Sequence, residues 1–310
     1  MTSSCRTGTT LNGAIPLYYE DWGREEDPAI VLIMGLSGQL IVWPDVLVQG
    51  LVQAGFRVIR FDNRDIGLSG KINFRPRMPV NRAMLMASLG LPIEAPYTLH
   101  DMALDTLNLI NELNLIKAHI VGISMGGMIS QILCSQHPER ISSLSLLMTS
   151  PLSRGLTTPP SPSMLWTMIS GGFGGRKPKG LERPRPEDVA RFLDQLNGSG
   201  YRSEFDRLVE SAERSLKRSY HPSGVARQML AVLATGDISA LTRKIAVPTQ
   251  IIHGKDDPLI SWKAGKRLAE LIPGSRLHLV DGLGHSLPLS FMPELQNRIL
   301  ELVSEVQGRK

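Results

Sequence analysis

Short aliphatic and β-branched runs recur along the chain, separated by segments whose apolar positions fall three or four apart. The first pattern predicts strands and the second helices. Residues 15–22 alternate and predict an edge strand; residues 30–34, 57–61, 119–123, 141–148, 249–253 and 277–280 predict buried strands. Between them, Thr98-Leu-His-Asp101 predicts a helix start resembling a capping box, and Met102, Leu107, Ile110 and Leu113 then share one face. A second helix follows Ser124 with Met128, Ile129, Ile132 and Leu133 on its apolar side, and the last spans about 292–306. Strands alternating with helices predict an α/β fold with a mostly parallel sheet covered on both faces.

Two stretches interrupt that rhythm. Residues 71–97 carry Pro and Met without a strand-like run and predict a loop or short helices beside the open end of the sheet. Residues 149–240 contain no convincing strand; they open with Pro151, Pro159, Pro160, Pro162 and Gly171 to Gly175, then predict helices near 186–196, 202–219 and 222–234. A helical insertion of that length predicts a lid over the carboxyl ends of the strands, where open α/β sheets bind ligands. The expected organisation is therefore a core of 1–148 and 241–310 with a cap at 149–240 inserted into it.

Composition narrows the class. With 310 residues, 42% hydrophobic and 20% charged, the chain can bury a large core, which excludes wholesale disorder, collagen-like repeats and a coiled coil. Two cysteines, Cys5 and Cys134, cannot build a disulfide framework or a four-cysteine zinc site, and they predict free thiols in a reducing compartment. The N-terminal segment lacks the apolar stretch of a secretory signal, and the longest apolar run, residues 29–34, is far shorter than the roughly 20 residues of a spanning helix. A cytoplasmic protein with no membrane span is expected. The net charge of +5 is concentrated between Arg176 and Arg227, with twelve Lys and Arg against eight Asp and Glu. Their signs interleave at helical spacing, which predicts a solvated helical surface and no nucleic-acid partner.

The candidate chemistry starts at Gly122-Ile-Ser124-Met-Gly126, between a buried strand and a helix. A tight turn there pushes the serine side chain out at the top of the sheet, and glycines two positions either side let neighbouring backbone pass. It also aims the Met125 N–H, at a helix N-terminus, toward charge developing on an attacked carbonyl. A serine needs a base, and the base an orienting carboxylate. His285 lies in a Gly-flanked loop after a strand; His253 and His278 lie within strands, His137 ends a helix, and His221 lies in the insertion as a lesser candidate for substrate contact. Asp256 and Asp257 both follow the strand at 249–253, and their acidity alone does not choose between them. No acid follows the strand ending at Met148. The turn Met34-Gly35-Leu36-Ser37-Gly38 offers further backbone N–H groups and lacks the spacing of either phosphate-binding glycine motif.

These residues together resemble an α/β-hydrolase-fold serine hydrolase over essentially the whole chain. The segment Phe61-Asp-Asn-Arg-Asp-Ile-Gly-Leu-Ser69 is similar to the D-x-R-G-x-G-x-S loop of that superfamily. Asp65 where many members carry Gly, Met34-Gly35 in place of His-Gly, and Trp43-Pro-Asp45 resemble the subgroup that contains aclacinomycin methylesterase. The resemblance implies a helical cap after the sixth strand, Ser124 as nucleophile, His285 as base, Asp257 as acid, and the amides of Leu36 and Met125 as oxyanion donors. The Met-for-His exchange removes a side chain that often braces the Met34 to Gly38 loop.

No cofactor and no metal are required by such chemistry. The expected substrate is a medium-sized apolar small-molecule ester, such as a methyl or short-acyl ester, contacted by Met34, Trp43, Met164 and Trp166, with Leu165, Ile169 and Phe173 capping the cavity. Met78, Met84, Met86, Met102, Met125, Met128 and Met168 also fall near the expected pocket, where core filling accounts for each of them as well. A lactonase or carbon–carbon bond hydrolase would use the same triad, and a non-catalytic small-molecule receptor would share the fold. Ser124 disfavours dehalogenase or epoxide hydrolase chemistry, which needs a carboxylate at that position.

Overall fold

A computed structural model describes residues 5–74, 78–153 and 183–308. Eight strands form one sheet in the order β1-β2-β4-β3-β5-β6-β7-β8. They are β1 (Cys5–Thr9), β2 (Tyr18–Trp22), β3 (Ala29–Ile33), β4 (Arg57–Phe61), β5 (Ala118–Ile123), β6 (Ile141–Leu147), β7 (Thr249–Gly254) and β8 (Arg276–Val280). The β1–β2 and β2–β4 pairs are antiparallel and the remaining pairs parallel, so seven strands match the expected runs and β1 is an addition. Its sequence, CRTGT, is polar and alternates between exposed and half-buried positions, so it carries no apolar signature. At the other end of the first predicted run, the strand proper begins at Tyr18.

The helices are α1 (Asp45–Gln53), α2 (Val80–Ser88), α3 (Leu99–Glu112), α4 (Met125–Gln136), α5 (Pro186–Asp194), α6 (Phe205–Arg218), α7 (Pro222–Thr235), α8 (Ser239–Thr242), α9 (Lys263–Leu271) and α10 (Met292–Val306). At the start of α3 the Thr98 N–H donates to Asp101 Oδ2 at 2.7 Å, an Asp filling the role Glu has in the usual capping box. Strand β3 shows why the sheet needs two helical layers. Val31 and Ile33 pack with α3 and α4 on one face, while Ile30 and Leu32 pack with α1 and α10 on the other. Alternate side chains point to opposite faces, so a strand buried on both must be apolar throughout.

Between β6 and β7 the described chain is helical, running through α5, α6, α7 and α8. Buried polar contacts join this insertion to the loops at the carboxyl ends of the strands. Arg218 at the end of α6 meets Asp62 Oδ2 at 2.7 Å, just after β4. Arg227 of α7 grips Asp65 with two bonds, Nη2 to Oδ1 at 2.7 Å and Nε to Oδ2 at 2.8 Å. Asp65 has φ of +72°, a left-handed conformation that glycine adopts freely and Asp tolerates better than most side chains. That accounts for both residue types in this loop: glycine suits the backbone, and aspartate adds a carboxylate that Arg227 and the Tyr97 hydroxyl, 2.7 Å away, can reach. Among the described residues no helix is long and apolar enough to cross a membrane.

Candidate active site

Ser124 sits between β5 and α4 with φ of +54° and ψ of −122°, a strained turn that ends the strand and starts the helix within one residue. The surrounding glycines follow from the crowding. A Cβ on Gly126 would collide with the Ile33 carbonyl of β3, and one on Gly127 would lie 2.6 Å from the Thr149 methyl. The Thr149 hydroxyl donates to the Ser124 carbonyl at 2.7 Å and the Ser124 N–H to the Leu147 carbonyl at 2.9 Å, so both sides of the turn are pinned.

His285 Nδ1 lies 2.7 Å from Asp257 Oδ2. A carboxylate only accepts, so this bond places the proton on Nδ1 and leaves Nε2 with a free lone pair. Asp257 is buried, and its other oxygen accepts the N–H groups of Leu259 at 2.8 Å and Ile260 at 2.7 Å. Burial alone would raise this carboxyl; the facing His285 and His253, with their hydrogen bonds, hold it well below the usual carboxylate range. Its neighbour Asp256 points outward and accepts from the N–H and hydroxyl of Ser199, which separates the two acids that the strand-end position left equivalent. The His285 loop is fitted closely against the insertion. Its N–H donates to the Leu196 carbonyl at 2.7 Å, and a Cβ on Gly284 would collide with that same carbonyl.

Ser124 and His285 line one cavity of about 1010 Å³. Its described lining includes the apolar side chains of Met34, Leu36, Ile123, Phe192 and Leu287. Arg207, Glu210 and Arg214 of α6 bring charge to the same space. At the strand ends the N–H groups of Leu36 and Met125 have no acceptor among the described residues. The Met125 N–H belongs to the first turn of α4, where intrahelical partners are lacking and the helix dipole favours negative charge. Glycine 35 brings its backbone against the serine, since a Cβ there would lie 3.1 Å from Ser124 Cβ.

Other expected positions fall elsewhere. Trp43 is a correction: it is fully enclosed in the core beside Leu47 and Phe56 and does not line the cavity, so it cannot touch a ligand there. Its position just before α1 turns the ring under the helix, which burial of so large an apolar surface favours. Met164, Trp166 and Met168, with Leu165, Ile169 and Phe173, lie outside the described residues. Met102, Met125 and Met128 pack in the core, whereas Met34 and Met292 reach the cavity wall. His221 faces Arg227, whose Nη2 is 2.8 Å from its Nε2, and does not line the cavity. His253 is buried with Nε2 2.9 Å from the Ile260 carbonyl, and His278 meets Arg298 at 2.7 Å.

Reading by motif missed Asn63 and Gln228, two buried amides that hold the Met34 to Gly38 loop from opposite sides. Asn63 Nδ2 donates to the Met34 carbonyl at 2.9 Å, and the Ser37 N–H donates to Gln228 Oε1 at 3.1 Å. No local pattern announces a glutamine that acts on a residue 191 positions away.

Comparison with known proteins agrees with the fold. Residues 28–290 match the family described as alpha/beta hydrolase fold. The rhodomycin D methylesterase of Streptomyces peucetius is 28% identical over 302 residues, covering 92% of this chain and 93% of its own. A protein of Variovorax paradoxus described as a putative carbamate hydrolase is 24% identical over 296 residues, covering 95% and 98%. Among solved structures, the 2-hydroxy-6-oxo-6-phenylhexa-2,4-dienoate hydrolase of Rhodococcus sp. strain RHA1 superposes with a TM-score of 0.75 at 16% identity, covering 97% of this chain and 99% of that one. The enol-lactonase of Burkholderia xenovorans LB400 superposes with a TM-score of 0.71 at 20% identity, covering 96% and 100%.

Proposed function

Because this chain belongs to the α/β-hydrolase fold family, we propose that it is a serine carboxylic ester hydrolase acting through an acyl-enzyme on a medium-sized apolar small-molecule ester. The observation that carries the reading is His285, oriented by buried Asp257 and sharing one cavity with a serine in a strained strand-to-helix turn. The relatives described as a rhodomycin D methylesterase and a putative carbamate hydrolase support the reaction class.

In this mechanism Ser124 Oγ attacks the ester carbonyl carbon while His285 Nε2 takes its proton. The carbonyl oxygen becomes an anion accepted by the Leu36 and Met125 N–H groups. Collapse breaks the carbon–oxygen bond, and the imidazolium returns the proton to the departing alcohol. Water then attacks the acyl-serine, giving its proton to the same imidazole, and the acid leaves as Ser124 is re-protonated. Asp257 keeps its charge throughout and stabilises the imidazolium that forms twice per turnover. Besides the substrate and one water, the chemistry uses only groups of the chain. The apolar side chains that line this cavity favour an uncharged substrate, and methyl or short-acyl esters satisfy that condition.

The test is turnover of an ester panel varying acyl length, alcohol and lactone ring size by the wild type and by Ser124→Ala. The reading expects ester turnover and fluorophosphonate labelling in the wild type, and loss of nearly all of both in the folded variant. Unchanged hydrolysis by Ser124→Ala would refute the nucleophile. Turnover confined to lactones or vinylogous diketones would redirect the substrate class, and ligand binding without any reaction would mark a receptor.

A further inference from the structure

The loop that offers the Leu36 amide is held in an unfavourable shape. Ser37 has φ of +65°, a left-handed conformation that is strained for a non-glycine residue. Three bonds oppose its relaxation. Asn63 holds the Met34 carbonyl at 2.9 Å, the Gly38 N–H reaches the Gly35 carbonyl at 3.3 Å, and Gln228 accepts the Ser37 N–H at 3.1 Å. The Leu36 N–H lies between these tied peptide groups and is itself unclaimed by the described chain.

Gln228 differs from the other two partners because it comes from α7, in the insertion, and is fully buried. Its Nε2 donates to the Arg64 carbonyl at 2.9 Å, so both ends of the amide are committed and its orientation is fixed by a donor on one side and an acceptor on the other. The side chain thus spans from the loop after β4 to the loop after β3. Removing its oxygen would leave the Ser37 N–H without a partner and the strained φ without its restraint.

We propose that Gln228 is a positioning residue, through which α7 holds Ser37 and thereby fixes the Leu36 N–H in the geometry that receives the oxyanion. It occupies the bracing role that the Met34 side chain, lacking a hydrogen-bonding group, does not fill. The inference rests on the reading of Ser124 as nucleophile, and it assigns Gln228 no contact with substrate.

The test is Gln228→Met, which keeps the length of the side chain and loses both bonds, assayed on the ester the wild type turns over best. A lost oxyanion donor lowers kcat by about 10² to 10³, so a displaced one is expected to lower it at least tenfold with KM changed less than about twofold. Affinity for a trifluoromethyl ketone, which forms a tetrahedral adduct with serine, should fall by a similar factor. Gln228→Glu, whose protonated carboxyl reproduces both bonds, should regain turnover relative to Gln228→Met as pH falls from about 8 to about 6, because burial favours its neutral form. Hydrogen exchange at Ser37 should accelerate in Gln228→Met, which reports the brace whether or not esters are hydrolysed. An inert wild type would sink the ester hydrolase reading alone. Unaltered exchange, or an active wild type whose kcat and analogue affinity survive Gln228→Met, would overturn the proposal.

Discussion

Replacing Arg227 by Met should be among the most damaging single changes outside the cavity. The guanidinium makes two bonds to Asp65, and a third to the Phe74 carbonyl at 3.1 Å. Both partners are buried, with Asp65 at 0% exposure, so the variant would strand a carboxylate that keeps, among the described residues, only the Tyr97 hydroxyl and the Ile72 N–H, at 2.7 and 2.8 Å. Breaking a buried pair from one side costs about 3–5 kcal/mol. A chain of this size melts with an entropy near 0.65 kcal/mol/K at about 2.1 cal/mol/K per residue, so the midpoint should fall by about 5–8 °C. Differential scanning calorimetry reads that shift directly. The companion variant Asp65→Asn/Arg227→Met removes the charge as well as its partner, and Asn tolerates a left-handed φ. It should recover more than half of the loss, giving a coupling of at least about 2 kcal/mol in a double-mutant cycle. A drop below about 2 °C in Arg227→Met, or additive losses in the double variant, would show that the pair contributes little and that solvent reaches Asp65 once Arg227 is gone.

Three further outcomes follow from the same structure. Asp257→Asn should lower kcat by about 10⁴ through the wrong imidazole tautomer, whereas Asp256→Asn should change it less than about threefold, both read by steady-state kinetics. Burial lowers His119 from 6.5 to about 4, so the folded state resists a proton that the unfolded state accepts; stability is intact above pH 6.5 and is lost as pH falls toward 4. The loss reaches about 3 kcal/mol, and urea titrations at pH 7 and pH 4 should show that His119→Gln escapes it relative to the wild type. Gly126→Ala forces a methyl into the Ile33 carbonyl and should cost about 1–3 kcal/mol together with most of the turnover, since the displaced turn carries Ser124. Equal melting points for Gly126→Ala and the wild type would refute that crowding.

Much of this architecture was legible before any coordinates. The apolar run at β3 and the periodicity of α10 are local signals, and α10 spans Met292–Val306 within the expected bounds. The turn around Ser124 was equally legible, because its glycine spacing is a short local pattern, although the crowding that requires Gly126 and Gly127 comes from Ile33 of β3 and from Thr149. Strand β1 was not, since a polar edge strand is specified by pairing with β2 and has no apolar pattern of its own. Trp43 illustrates the opposite failure: an aromatic beside a glycine-rich loop looks like a ligand contact until the packing of α1 shows where its surface goes. The pairs Asp65–Arg227 and Ser37–Gln228 join residues 162 and 191 positions apart, and such contacts become visible only when the chain is folded.

The joints between the insertion and the strand-end loops bear on how this scaffold can be rebuilt. Substrate range in such a protein invites transplanting the helices over the sheet from one relative to another. Here a graft of residues 183–235 would remove Arg218, Arg227 and Gln228 from beneath loops that stay behind, and also the Leu196 carbonyl from the His285 N–H. Asp62 and Asp65 would each be left as a buried carboxylate without its cation, at about 3–5 kcal/mol apiece, against a total stability of about 5–15 kcal/mol. A chimera would therefore need the segments 35–39, 62–70 and 282–285 to travel with the helices. The exchangeable unit is the insertion together with its sockets, and a sequence boundary drawn at the ends of the insertion cuts through it.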